Sequence, residues 1–251
     1  MFRKVYMSFI LFFCSLAMGQ VSHLESNSHE EAYAKKLREH KVLSSIFPLY
    51  YKTKNNEVLS AGSSTFVTSN AESSKAYFLS AAHNLRGSRT THYIDFHGEK
   101  KKIKILSKHV ESDFFLFEVQ LNKEDEAMLR SLNIKLADQI KTKNTYYLSG
   151  HRTDTQSKEI KVVAGAETHQ NGKFLLHGEA LSGMSGGGVF SSDGESLHGI
   201  IQNAATLKNS NFIIGLSFAE ILRKLESEWF PPQDFLNSLE KKKESKSSSE
   251  E

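Results

Sequence analysis

The chain has a single cysteine in 251 residues, Cys14, and it lies in an N-terminal apolar stretch. Beyond it no disulfide can form, so the rest of the chain must be held by its core alone. Charge of one sign is also missing. Lysine and arginine number 32 against 29 aspartates and glutamates. No basic patch stands out, which argues against nucleic acid as a partner. Past the N-terminus no apolar run approaches the ~20 residues that cross a bilayer, so no stable membrane insertion is expected. The histidines lack metal-ligand spacing: His92, His97, His109, His151, His169 and His177 are scattered, without an H-x3-H pair. No metal is expected from them, and no cofactor.

What is present begins with Arg3 and Lys4, then Val5 to Leu16 almost without polar residues, then Ala17-Met18-Gly19-Gln20. A positive start, a short apolar core and small residues two apart describe a secretory signal peptide over residues 1–19. Cleavage is expected after Gly19, with a secreted or periplasmic destination. Cys14 is a poor lipoprotein anchor, because Phe12 and Phe13 precede it where small residues are wanted. The 232 residues that follow Gly19 carry 30 basic against 29 acidic side chains, and that length can bury a full core. Residues 20–41 are polar and charged, and read as a leader or pro-segment.

From Val42 the texture changes to short apolar or alternating runs separated by polar turns, the signature of strands. Six are expected in the first half: Leu43–Lys52, Val58–Val67, Ala76–Ala81, Thr91–His97, Lys102–Ser107 and Phe114–Gln120. Residues 122–140 read as a helical or irregular connector. Six more strands are expected after it: Asn144–Leu148, Glu159–Ala164, Phe174–His177, Gly188–Phe190, Leu197–Gln202 and Phe212–Phe218. Asn55-Asn56, Gly98-Glu99, Asn171-Gly172 and Asp193-Gly194 are expected hairpin turns. Ala219 to Trp229 reads as a closing helix with Ile221, Leu222, Leu225 and Trp229 at helical spacing. Residues 231–251, ending in lysine, serine and glutamate, read as a disordered tail.

Against this background Gly183-Met184-Ser185-Gly186-Gly187-Gly188 stands out. Glycine loses more conformational freedom on folding than any other residue, so four in six positions need a reason. One reason is a tight loop that presents main-chain N–H groups to a small anion beside a nucleophilic serine. Upstream, the apolar run Tyr77-Phe78-Leu79 leads through Ser80-Ala81-Ala82 to His83, and Asp113 stands at the mouth of the run Phe114 to Val119. Asp95 competes with Asp113 as a partner for the histidine, but it lies in mid-strand on a surface face.

The order His, Asp, Ser with S-A-A-H and G-M-S-G-G resembles the chymotrypsin/trypsin-like serine peptidases. The absence of disulfides and the compact spacing look more like the bacterial, HtrA-like side of that family, without a peptide-binding domain after the closing helix. The resemblance implies an all-β fold of two six-stranded antiparallel β-barrels with a C-terminal α-helix. The barrels would cover residues 42–121 and, with the closing helix, 141–230. It implies a serine endopeptidase acting on polypeptides, with Ser185 as nucleophile, His83 as general base and acid, and Asp113 as the orienting carboxylate. The N–H groups of Gly183 and Ser185 would form the oxyanion hole. Glu179, six residues before the serine, would lie at the base of the first specificity pocket, with Ile201, Gln202, Asn203 and Ala204 along its wall.

The chain departs from that pattern in places. Met184 replaces an aspartate that takes part in zymogen activation in digestive members, Gly188 replaces a common proline, and Asn203 stands where small residues usually admit the peptide. Two alternatives use the same residues: a silent or latent scaffold that acts as a binding protein, and an esterase. G-M-S-G-G also satisfies the nucleophile elbow of α/β-hydrolases. That fold is excluded because only Asp193 and His198 follow in the required order, both in an expected hairpin, and the segment after the serine reads as a strand.

Overall fold

The computed structural model describes residues 31–85, 90–137, 140–141, 144–168, 170–207, 209–228 and 231–247. The expected signal segment, Trp229 and His169 lie outside the described residues. The chain forms two compact units, residues 1–40 and 41–251. Of the first, residues 31–40 are described and are helical. The second holds everything that follows.

Seven strands build the first sheet: β1 (Ile46–Lys52), β2 (Val58–Asn70), β3 (Lys75–Ser80), β4 (Thr91–Phe96), β5 (Glu99–Lys102), β6 (Lys104–His109) and β7 (Phe114–Gln120). They are ordered β5-β4-β1-β2-β3-β7-β6, and every pairing is antiparallel. β4 alternates buried and half-buried residues along T-H-Y-I-D-F, as a strand with one face on the core must. β7 is buried at every position but its last, so F-F-L-F-E-V has no solvent face and reads as a continuous apolar run. Phenylalanines fill the interior. Phe47 stacks on Phe96 at 4.7 Å, and Phe78 on Phe117 at 5.4 Å. The turn between β4 and β5 is His97-Gly98, both at positive φ, one residue earlier than Gly98-Glu99. β5 was not expected as a strand: the expected strand Lys102–Ser107 corresponds to β6.

The connector forms α1 (Lys123–Leu132) and the short β8 (Lys135–Leu136). Asn122 caps α1, its side chain accepting from the N–H of Asp125 at 2.8 Å. The second half carries β9 (Thr145–His151), β10 (Lys158–Thr168), β11 (Lys173–His177), β12 (Gly188–Ser191), β13 (Ser196–Leu207) and β14 (Ser210–Ser217). Their order β12-β9-β10-β11-β14-β13 is closed by a β12–β13 pairing into a six-stranded barrel, with β8 parallel to β13 outside it. The first sheet curls as a half-barrel and has no pairing between its edges β5 and β6.

Two helices end the chain. α2 (Phe218–Glu226) is capped by Ser217 and buries Phe218, Ile221 and Leu225. α3 (Gln233–Ser247) occupies the stretch expected to be a disordered tail. That expectation rested on the charged end and overlooked Phe235, Leu236 and Leu239 at helical spacing. Phe235 is fully buried against the ring of Tyr77 at 5.5 Å, and Leu239 is nearly so. Lys241 pairs with Glu72 at 2.7 Å, and Lys242 donates to the carbonyl of Val67. The apolar anchor orders a polar helix that composition alone would leave in water. Among the described residues no helix is long and apolar enough to cross a membrane.

Candidate active site

β3 ends at Ser80, and a single 3-10 turn, Ala82–Asn84, follows it and carries His83. The β6–β7 turn carries Asp113 at φ +50°, a left-handed conformation that costs a non-glycine residue about 1 kcal/mol or more and must be held by its surroundings. Because β3 and β7 are neighbours, the two meet. The carboxylate of Asp113 takes two hydrogen bonds from His83. The backbone N–H donates to Oδ1 at 2.9 Å, and ring Nδ1 lies 2.8 Å from Oδ2. Both side chains stay accessible, 45% for the histidine and 28% for the aspartate, so solvent and a ligand can reach the ring. Asp95 does something else: its Oδ1 accepts from Gly98 N–H and fastens the β4–β5 turn.

Ser185 comes from the second half, on the loop before β12. Its carbonyl is pinned by first-sheet donors, the N–H of Ser63 at 2.9 Å and the side-chain amide of Asn84 at 2.8 Å. The loop is stitched to the barrel as well: Met184 N–H donates to Leu181 O, Gly186 N–H to Ile201 O and Gly187 N–H to Met184 O. The N–H groups of Gly183 and Ser185 donate to no atom among the described residues. The glycines are required by close approach. Gly183 sits at φ +92°, and a Cβ there would come within 2.7 Å of His151 O and Thr153 N. A Cβ on Gly186, at φ +85°, would overlap Ser63 O and Ser80 Oγ.

The Ser185 hydroxyl donates to the carbonyl of Gln202 at 3.0 Å, and no hydrogen bond joins it to His83 among the described residues. Gln202 is 3% exposed. Its side-chain amide reaches back across the two halves to the carbonyls of Ser112 and Asp113. One buried residue thus holds the strained turn that carries the aspartate and receives the serine hydroxyl. Ser63 and Asn84 were not singled out as site residues from the sequence, and Gln202 was expected in the pocket wall rather than as a brace. The hint for Asn84 was its place directly after His83.

The remaining expected positions are divided. Glu179 is exposed, its carboxylate bound by Asn211 Nδ2 at 2.7 Å. It lines an open hollow of about 270 Å³ together with Ala180, Ala204, Ala205, Thr206 and Phe212. Ile201 does not line it: the side chain is fully buried in the second-barrel core, and the register of β13 shifts between Ile201 and Asn203. Asn203 is exposed outside the hollow, with Oδ1 accepting from Ala204 N–H. Met184 is buried in the same core as Ile201, as an apolar side chain can be where an aspartate would need a partner.

The model of the trypsin-like peptidase domain matches residues 62–200, more than half of the chain. No curated protein matches significantly. Solved structures that resemble this one include the active form of the Rv3671c protease from M. tuberculosis. It has a TM-score of 0.57 at 14% identity, with 75% of this chain and 82% of that one covered. The HtrA-type protease AlgW with a decapeptide gives 0.59 at 14% identity, over 76% of this chain and 66% of that one. The thermostable serine protease AL20 from an extremophilic microorganism gives 0.55 at 13% identity, over 73% and 95%. At such identities these neighbours speak for the chymotrypsin-like fold, whereas the domain match speaks for descent: the chain belongs to the trypsin-like peptidase domain family.

Proposed function

We propose that the protein is an exported serine endopeptidase in which Ser185, His83 and Asp113 act as a catalytic triad. The two-point grip of Asp113 on His83 carries this reading. With Nδ1–H donated to Asp113, ring Nε2 is left as the proton acceptor, the tautomer a general base needs. The serine hydroxyl leaves the Gln202 carbonyl by rotation about its own Cα–Cβ bond and turns to His83. As Oγ bonds to the substrate carbonyl carbon, its proton passes to Nε2, and the carbonyl oxygen becomes an oxyanion. The N–H groups of Gly183 and Ser185 receive that charge. The imidazolium then protonates the leaving amine. Water, deprotonated by the same histidine, cleaves the acyl-enzyme and frees Ser185.

Glu179 gives the hollow a negative rim, which favours lysine or arginine in the substrate. Its exposure and its bond to Asn211 make that preference modest. A second reading, a latent scaffold, is favoured by the hydroxyl resting on Gln202 O. Incubation with a denatured protein and sequencing of the new termini separates the two. Cleavage lost in Ser185→Ala supports the peptidase. Turnover of esters without peptide cleavage would support an esterase instead, and no turnover of either would support the latent scaffold.

A further inference from the structure

The turn between β9 and β10, residues 152–157, does not touch the His83–Asp113 pair, yet it is tied to the nucleophile loop by backbone and side chain. Thr153 N–H donates to the carbonyl of Ser182 at 3.1 Å, and the hydroxyls of Thr153 and Ser182 lie 3.1 Å apart. In a trans peptide the carbonyl and the N–H point in opposite directions. Holding Ser182 O on Thr153 therefore turns the N–H of Gly183 away from that turn, toward the open side of the loop. If the Ser182–Gly183 peptide flipped, the donor would be lost.

Thr153 is in turn held by Gln156. The side-chain amide of Gln156 donates to Thr153 O at 2.6 Å, and its Oε1 accepts from the hydroxyl of Tyr50, on β1, at 3.3 Å. Gln156 sits at φ +53°, a conformation that disfavours any side chain except glycine and persists only where contacts over-determine it. Arg152 N–H closes the turn on Ser157 O at 2.8 Å. Burial and the nearby charge of Asp95 push the Tyr50 phenol above its ordinary pKa, which keeps it a donor at working pH.

We propose that Gln156, acting through Thr153, is a positioning residue for the Gly183 oxyanion donor. This rests on the oxyanion role assigned to Gly183 above. Gln156 is exposed, so its replacement leaves the core intact, and glycine in its place removes the backbone strain as well as the side chain. The test is the second-order rate of inactivation by a fluorophosphonate, whose phosphoryl oxygen uses the oxyanion hole, read together with the melting temperature. Gln156→Gly is expected to slow inactivation about 10-fold with an unchanged or higher melting temperature, since small misplacements of a catalytic group cost up to about 10²-fold. Thr153→Pro, which deletes the N–H itself, is expected to slow it by about 10²-fold, the effect of losing one oxyanion donor. A Gln156→Gly protein inactivated at the unaltered rate would overturn the proposal while leaving Ser185 as nucleophile. Absence of labelling in the unaltered protein would overturn both.

Discussion

The two halves of the site are prepared in different ways. On the first sheet the proposed chemistry lies in side chains, and His83 and Asp113 are already joined by two hydrogen bonds. On the second barrel it lies in backbone, with Gly183 and Gly186 at positive φ, while the hydroxyl of Ser185 rests on a carbonyl of its own barrel. The proposed acid–base pair makes its mutual hydrogen bonds within one sheet, and takes from the other half the Gln202 amide that braces the Asp113 turn. Ser185, the proposed nucleophile, depends on the other half twice: for the Ser63 and Asn84 donors that pin its carbonyl, and, in the proposed mechanism, for His83.

The most severe way to break this arrangement is to remove one reactive side chain from either half. Ser185→Ala and His83→Ala are each expected to lower kcat by about 10⁶, and the double variant by no more than either, because the groups act as a unit. Kinetics on purified variants with unchanged circular dichroism would check this. Asp113→Asn keeps the shape but offers an N–H where Nδ1 needs an acceptor, which favours the wrong tautomer. It is expected to lower kcat by about 10⁴, with KM little changed.

Gln202 sharpens the comparison because it belongs to both halves. Gln202→Ala leaves the carbonyls of Ser112 and Asp113 without their donor. Both residues are half-buried, so the cost lies toward the lower end of the about 1–3 kcal/mol for unpaired buried groups. Urea unfolding should register that loss, and kcat should fall about 10-fold as the Asp113 turn loosens. A variant that loses stability with no change in kcat would show that the brace is structural alone.

The smallest effect concerns pH. Burial pushes the pKa of His151, behind the nucleophile loop, below its ordinary 6.5, and does the same to His92. The unfolded chain therefore takes up these protons first. Their contribution to stability is complete above pH 6.5 and is lost as pH falls below it, by at most about 1.4 kcal/mol per pH unit for each proton. Denaturant midpoints measured from pH 8 to pH 5 should fall on the acid side, and His151→Phe should flatten the slope.

What could be read from the sequence follows the same division. His83 and Ser185 sit in short local motifs, where an apolar run or a glycine cluster announces the neighbour that matters. The strand pattern was legible where a strand carries alternation, as β4 does, or a continuous apolar run, as β7 does; β5, which reads E-K-K-K with no apolar position, carries neither. Gln202 was not legible as a brace: its amide acts on carbonyls about 90 residues away, and nothing near it in the chain marks that contact. Thr153 meets Ser182 O and Gln156 through backbone atoms that any residue possesses, and nothing in the local sequence marks the Gln156 side-chain amide that reaches it. The tail was misjudged because Phe235 and Leu239 are two apolar residues among many charges, and their burial depends on the Tyr77 surface that the sheet supplies.

The claim at the centre is that Ser185 is an activated nucleophile despite its resting contact with Gln202. It is tested most directly by treating the purified protein near pH 8 with a fluorophosphonate probe and mapping the labelled peptide. The account predicts labelling on Ser185, abolished in Ser185→Ala and lost in His83→Ala. A folded protein that takes up no label, or takes it up equally in the Ser185→Ala variant, would contradict it.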